Sequence, residues 1–428
     1  VKPQTLSAWL AHLERLHPKT IELGLERVNT VRERLGLSLS FPIITVAGTN
    51  GKGSTCAMLE AILAAAGYKV GCYTSPHLLR YNERVRINRA DASDDELCRA
   101  FAAVDEARGD IPLTYFEFGT LAAVWQFAHA GIEAAVLEVG LGGRLDAVNA
   151  FDADCAVITS VDIDHTDYLG ETREAIGFEK AGVFRRARPA VCADPAPPHT
   201  VADRAETVGA ALHLIGRDFG FIPEKGQWTF WSGTRRLVLP WPALRGAYQL
   251  ANASAAIEAL QQLKNRLPVT PDNIRAGLLE TAVPGRFQVL PGWPAVILDV
   301  AHNPHAARAL AENLRAMPCS GTTIAVFAML SDKDSGGVVQ ALKDEIGLWL
   351  LAGIGHERGA SARQLLDALQ AEGLDGKAAL FPDIGAAYRH ACHIATENDR
   401  IAVFGSFHTV AEAMQQDNRR YAKSAQHL

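Results

Sequence analysis

The sequence predicts an α/β protein of two parts. A larger domain of the P-loop ATPase type carries a mainly parallel sheet, and a smaller Rossmann-like domain follows at the C-terminal end. Three observations carry this. Apolar, β-branched runs alternate with helix-like stretches over residues 41–181, as parallel strands covered by helices on both faces require. The first run ends in Gly48-Thr49-Asn50-Gly51-Lys52-Gly53-Ser54-Thr55 and passes straight into an apolar helical pattern. A second alternating series begins beyond residue 294, after a segment rich in proline and glycine.

Leu6, Trp9, Leu10, Leu13 and Leu16 recur at helical spacing, so an amphipathic helix precedes the first strand. Strands are expected at 41–47 and 69–74 around a helix at 54–66, and again at 134–139 and 155–161. Further helices are expected near 94–107, 118–130 and 171–181. Short strands at 228–231 and 236–239 flank Ser232-Gly233 and predict a small antiparallel hairpin appended to the sheet. Helical stretches at 247–264 and 271–280 lead to Pro284-Gly285-Arg286 and Pro291-Gly292-Trp293-Pro294. That segment sets the expected boundary between domains 1–287 and 288–428. Strands at 295–300, 322–329, 347–352, 378–381 and 400–404 then build the Rossmann-like sheet.

Composition narrows the functional classes. A net charge of −6 argues against a general attraction to nucleic acid or anionic membrane. No apolar run is long enough for a bilayer, since 121–137 is broken by Gln126, His129 and Glu133. The chain opens Val1-Lys2-Pro3-Gln4 and enters the first helix, so no secretory signal is expected. Seven scattered cysteines without a Cys-x-x-Cys pair read as reduced thiols of a cytoplasmic protein.

The glycine run at 48–55 has the chemistry of a phosphate cradle. Its glycines let backbone N–H groups turn inward, the helix N-terminus adds partial positive charge, and Lys52 supplies a point charge. Gly48 lies four residues before Lys52, and Gly53 stands where a Mg²⁺-binding hydroxyl usually follows the lysine. The metal ligand is therefore to be sought elsewhere in the chain. Glu138, ending an apolar strand, is a hard oxygen donor of the type Mg²⁺ takes. Gly140-Leu141-Gly142-Gly143-Arg144-Leu145-Asp146-Ala147-Val148-Asn149 follows it, a loop suited to close approach of a ligand.

Other polar groups gather at strand ends. Thr159-Ser160-Val161-Asp162-Ile163-Asp164-His165-Thr166-Asp167 is a strand end crowded with potential ligands; His165 alone reads more readily as a solvated or hydrogen-bonded turn residue than as a ligand, and Lys180 alone as an exposed helix lysine. Asp299 and His302 lie three apart after a strand of the second domain. Asp332-Lys333-Asp334, His356-Glu357-Arg358-Gly359 and Gly405-Ser406-Phe407-His408 follow later strands on the same expected edge, where α/β sheets bind ligands.

In this order the pieces resemble the Mur-ligase superfamily, and within it the bacterial bifunctional folylpolyglutamate synthase/dihydrofolate synthase family. The resemblance spans nearly the whole chain. It rests on His17-Pro18-Lys19-Thr20-Ile21-Glu22-Leu23-Gly24-Leu25-Glu26-Arg27-Val28, the 48–55 loop, Thr74-Ser75-Pro76-His77-Leu78, Arg80-Tyr81-Asn82-Glu83-Arg84-Val85 and Phe116-Glu117-Phe118-Gly119-Thr120. The 138–149 run, Asp164-His165, Glu179-Lys180-Ala181-Gly182, Pro284-Gly285-Arg286-Phe287 and residues 299–304 complete it.

The resemblance implies an ATP-dependent amide ligase that adds L-glutamate to dihydropteroate and to reduced folates through an acyl phosphate. Under it, Gly48, Thr49, Asn50, Gly51, Lys52, Gly53 and Ser54 hold ATP phosphates, with Asn252 at adenine, Arg286 at phosphate and Asp299 at ribose. Ser75 and Glu138 hold one Mg²⁺, and His165 with carbamylated Lys180 holds a second; K⁺ is a further cation it allows. Lys52, His165, Lys180, Arg286 and His302 form the catalytic set. Thr20, Ile21, Glu22, Arg80, Thr114, Tyr115, Phe116, Glu117, Leu145, Asp146 and Ala147 form the pterin and substrate pocket. A cytoplasmic monomer without nucleic-acid or membrane partners is expected.

Two positions depart from the family pattern: Tyr248 stands where His is frequent, and Ala328 where glycine is common. A monofunctional folylpolyglutamate synthase and another Mur-type amino-acid ligase remain the alternatives. Cell-wall Mur ligases carry a UDP-binding domain ahead of the phosphate loop, and with the loop at residue 48 none is expected here.

Overall fold

The computed structural model describes residues 3–19 and 21–425, and the chain forms two compact units. The first comprises Val1–Ala243 with Gln249–Ala282. Its strands β1 (Ile43–Ala47), β2 (Val70–Tyr73), β3 (Val85–Ile87), β4 (Ala90–Asp91), β5 (Ala134–Glu138), β6 (Cys155–Ile158), β7 (Pro189–Cys192) and β8 (Ala211–Leu214) make an eight-stranded sheet. The order is β4-β3-β2-β5-β1-β6-β7-β8. Only the β2–β3 and β3–β4 pairs are antiparallel. Every residue of β1, β5 and β6 is buried, which is why these strands read as unbroken apolar runs. The registers Val46↔Glu138, Ala47↔Ile158 and Tyr73↔Leu137 level four carboxyl ends, so Gly48, Thr74, Val139 and Thr159 leave the sheet from one edge.

Helices Leu6–Leu16, Glu26–Leu35, Asp94–Arg108 and Tyr115–Ala130 bring Trp9, Val28, Phe101 and Phe118 into one core with Ala135, Leu137 and Ile158 of the sheet. Helix Lys52–Ala65 packs on Pro271–Glu280. A Cβ at Gly277 would stand 2.5 Å from Ile62 Cα, so this approach needs a glycine. Helix Lys52–Ala65 also buries Glu60, which is tolerated because Arg86 of β3 pairs with it at 2.9 Å. Arg86 Nη2 also donates to Cys72 Sγ at 3.2 Å.

Several boundaries differ from expectation, each for a local reason. Helix Tyr115–Ala130 starts earlier than residue 118 because Thr114 and Glu117 close a capping box. β6 stops at Ile158, not 161, because its next residues turn away to bond the phosphate loop. The expected hairpin is part of a three-stranded antiparallel sheet of its own, β9 (Phe219–Glu224), β10 (Gln227–Ser232) and β11 (Arg235–Pro240), and is not appended to the main one. Strands β3, β4, β7 and β8 are two to four residues long and were not expected.

The second unit holds Leu244–Tyr248 and Val283–Leu428. Its six strands, β12 (Gln288–Leu290), β13 (Ala295–Leu298), β14 (Thr323–Phe327), β15 (Leu348–Ala352), β16 (Ala378–Phe381) and β17 (Arg400–Phe404), lie in the order β12-β13-β17-β14-β15-β16. All pairs are parallel except β12–β13. β12 was not expected; it pairs across the turn made by Pro291-Gly292-Trp293-Pro294. Residues 283–287 are tied into this unit, since Val300 N donates to Gly285 O and Phe287 N to Asp299 Oδ2. The registers Leu298↔Val403 and Phe327↔Phe404 bring Asp299, Ala328 and Gly405 to one edge. Phe327, Trp349 and Phe404 pack against one another with centroids 5.1–6.0 Å apart, Trp349 edge to face with both phenylalanines.

Candidate active site

The phosphate loop runs from β1 to helix Lys52–Ala65, and its shape is dictated by glycine. Gly48 has φ +149° and Gly51 φ +87°, and a Cβ at either would run into Thr159 Oγ1 or Asn252 Oδ1. The residues after β6 clamp the loop. Thr49 N donates to Ser160 O at 2.8 Å, and Asn50 N to Ser160 Oγ at 3.1 Å. Thr159 Oγ1 donates to Asn50 O at 2.6 Å. Lys52 Nζ donates to Gly48 O and Thr49 O, at 2.8 and 3.2 Å, which holds its charge over the cradle. Asn252 packs against Gly51 from helix Tyr248–Gln262 and donates to Gln249 Oε1, while Gln249 Nε2 donates to Ser54 Oγ. Thr159 and Ser160 belong to the strand end expected to be crowded with ligands; that they clamp the phosphate loop was not expected.

Ser75 N donates to Glu138 Oε2 at 3.0 Å, so the structure joins the two residues expected at the first metal. Glu138 is buried. A carboxylate and a hydroxyl-bearing residue side by side near a lysine-bearing phosphate loop form an oxygen donor set that fits a divalent ion.

Lys180 corrects its reading as an exposed helix lysine: it is only 3% exposed. The reason is the 140–149 loop, which packs on the end of helix Arg173–Ala181. Arg144 N donates to Glu179 O at 2.8 Å, and Asn149 Nδ2 donates to Arg144 O and Gly182 O. Burial, helped by the Lys52 charge, brings the Lys180 amine down to about 7 against the opposing pull of Asp164 and Asp146. Asp164 Oδ1 lies 4.0 Å from His165 Nε2, and His165 takes φ +54°, a strained value for a non-glycine residue. Asp164 thus lies beside His165, and its charge opposes the lowering at Lys180. No cluster of three or more His, Cys, Asp or Glu side chains able to hold a metal occurs among the described residues. A second ion would need oxygen ligands of another kind.

The expected substrate segments converge. Gly24 N donates to Leu145 O, and Arg27 reaches Glu22 O at 3.1 Å and Glu117 Oε1 at 3.0 Å. Arg27, not assigned a role from the sequence, is the brace between them. Glu117 is fully engaged, since its Oε2 also accepts Thr114 N at 2.7 Å. Phe116 lies over Gly140, where a Cβ would meet its ring at 2.6 Å. Asp146 is buried and accepts Leu141 N at 2.8 Å and Val148 N at 3.0 Å. Burial pushes its carboxyl up to about 7 despite these N–H groups and Lys52. Arg80 is directed elsewhere, to Asp94 at 3.4 Å on an exposed surface. Thr20 lies outside the described residues.

In the second unit, Asp299 accepts Phe287 N and Ala301 N, both at 2.8 Å, and burial raises its pKa against the pull of Arg286. The Arg286 guanidinium lies 5.1 Å over the Phe407 ring, and His302 stands 6.4 Å from the same ring. His302 Nδ1 donates to Val300 O at 2.8 Å. Phe407 therefore flanks both residues, which one aromatic in a glycine-serine loop did not disclose.

Fold and site define an ATP-dependent ligase of the Mur type. The Mur ligase middle domain matches residues 46–196, and the Mur ligase glutamate ligase domain matches residues 285–407. The dihydrofolate synthase/folylpolyglutamate synthase of Escherichia coli is 47% identical over 412 residues, spanning 96% of this chain and 95% of that protein. Its counterpart in Haemophilus influenzae is 43% identical over 95% of this chain and 96% of that protein. The structure of E. coli FolC in complex with DHPP and ADP superposes with a TM-score of 0.93 at 46% identity, covering 98% and 99% of the two chains. A bifunctional folylpolyglutamate synthase/dihydrofolate synthase with Mn, AMPPNP and L-glutamate bound gives 0.91 at 48% identity over 98% and 100%. The chain belongs to the bifunctional dihydrofolate synthase/folylpolyglutamate synthase family.

Proposed function

We propose that this protein uses ATP to join L-glutamate to dihydropteroate, yielding dihydrofolate, and then to reduced folates, yielding folylpolyglutamates. The observation that supports the reading is that hydrogen bonds tie Gly24 to Leu145 and, through Arg27, Glu22 to Glu117, in the unit that also holds the phosphate loop. A carboxylate is a poor electrophile; phosphorylation gives it a leaving group, and the glutamate amine then attacks the acyl phosphate. The protein's work is positioning and charge stabilisation. Lys52 and the loop amides grip the transferring phosphate, Arg286 adds charge, and Asn252 and Asp299 contact the nucleoside. Asp146 orients the pterin, and His302 lies close to the reacting groups.

Ser75 and Glu138 would hold a divalent ion, which when bound neutralises phosphate charge. A second ion would be held by His165 and a carbamate on Lys180. Carbamylation requires a neutral amine, and a buried lysine brought down to about 7 supplies one at physiological pH. The reading also includes K⁺ as a further cation, a monomeric state and a cytoplasmic setting.

The test is ADP release with glutamate and either dihydropteroate or tetrahydrofolate. Release with both is expected. Release with tetrahydrofolate alone would make the protein a monofunctional folylpolyglutamate synthase. Lys180→Ala is expected to lose turnover and to regain part of it with added acetate, and full activity in that variant would remove the carbamate.

A further inference from the structure

Arg173 opens helix Arg173–Ala181, where a cation opposes the helix dipole. Thr172 already caps that end by accepting Ala175 N, so the helix has no need of the arginine. Its guanidinium is directed instead to the segment that follows β6. Nε donates to Val161 O at 2.9 Å, and Nη2 meets Ala196 O at 3.0 Å and the two Asp194 oxygens at 3.2 and 3.3 Å. Asp194, just beyond β7, is buried. Its Oδ2 accepts Val161 N at 2.7 Å and its Oδ1 accepts Ala196 N at 2.9 Å. One ion pair thus takes both backbone groups of Val161, a buried residue past the end of β6.

The next residue carries this fixation to the phosphate loop. Thr49 Oγ1 donates to Asp162 O and accepts from Asp162 N, both at 3.0 Å. Thr159 and Ser160, just before, bond Thr49 and Asn50 directly. Residues 159–162 form neither strand nor helix, so their backbone groups are satisfied only by such neighbours. They make a strip with the phosphate loop bonded to one part and the Arg173–Asp194 pair to another.

We propose that Arg173 and Asp194 are a positioning pair for the phosphate loop: they fix Val161, and through Asp162 they hold Thr49 in the conformation that receives the nucleotide's phosphates. This rests on residues 48–55 being the phosphate loop.

The experiment is a double-mutant cycle read by calorimetry of ADP binding, with Arg173→Met and Thr49→Val made singly and together. Loss of a charge-assisted hydrogen bond in Arg173→Met is expected to weaken ADP binding about 5–20-fold. In the Thr49→Val background, where the hydroxyl that grips Asp162 is gone, the same change is expected to weaken it by less than about twofold. An arginine that serves only the stability of the fold would cost the same factor in both backgrounds, and that additivity overturns the proposal. Unchanged affinity in folded Arg173→Met overturns it as well. Should Arg173→Met not fold, Arg173→Lys decides by the same cycle, since an ammonium lacks the fork that serves Val161 O and Asp194 together. Failure of the phosphate-loop reading itself looks different, as a Lys52→Ala protein that binds ADP with wild-type affinity.

Discussion

Ser75 and Glu138, which leave adjacent strands β2 and β5, are joined by a 3.0 Å hydrogen bond from backbone to carboxylate. The bond uses the Ser75 amide, so the Ser75 hydroxyl takes no part in it. Glu138→Gln keeps the acceptor and removes the charge. It is expected to lower kcat on the order of 10²–10³ and to raise the Mg²⁺ concentration needed for half-maximal ADP release. Ser75→Ala keeps the amide bond and is expected to shift the Mg²⁺ requirement by a smaller factor. A Mg²⁺ titration of ADP release checks both.

Gly51 and Gly67 separate conformational strain from steric conflict. Both have positive φ, +87° and +90°, but only at Gly51 would a Cβ meet an atom, Asn252 Oδ1 at 2.4 Å. Gly67→Ala is expected to cost about 1–2 kcal/mol of stability with ATP binding retained. Gly51→Ala is expected to cost at least as much and also to weaken ATP binding about tenfold or more, because the loop or Asn252 must move. Thermal unfolding and ATP-analogue calorimetry on the pair read the two effects.

Asp146 is expected to leave a signature in the pH dependence of stability. Burial raises it from 3.8 to about 7, so as pH rises the unfolded chain releases this proton before the folded one. The stability it contributes is present below about pH 4 and is lost as pH approaches 7. Asp146→Asn is expected to flatten melting temperature against pH over that window relative to wild type. Equal slopes in the two proteins would show that the carboxyl ionises normally.

Much of this could be read from residue order because burial on both sides writes itself plainly. β1 and β5 are apolar throughout, and the phosphate loop follows β1 without a gap. What escaped depends on distant packing. Lys180 is buried because a loop some thirty residues earlier folds over its helix end, and nothing in its own helix announces this. β12 has three residues beside a proline-glycine turn, too short a run to show alternation. Thr114 and Glu117 stood in a recognisable motif, yet their capping box moved the helix start. Arg27 and Phe407 act by bracing other side chains, a role with no spacing rule.

The Arg86–Glu60 pair has one practical outcome. Cys72 sits beside it and Cys56 lies on the same helix as Glu60, and burial first of all raises both thiols well above their ordinary range. Alkylating reagents need an accessible thiolate, so iodoacetamide should leave these two sulfurs untouched until the sheet parts from its helix. Mass-resolved labelling at Cys56 and Cys72 then times the opening of the nucleotide-bearing half, with the unmodified protein serving as its own clock.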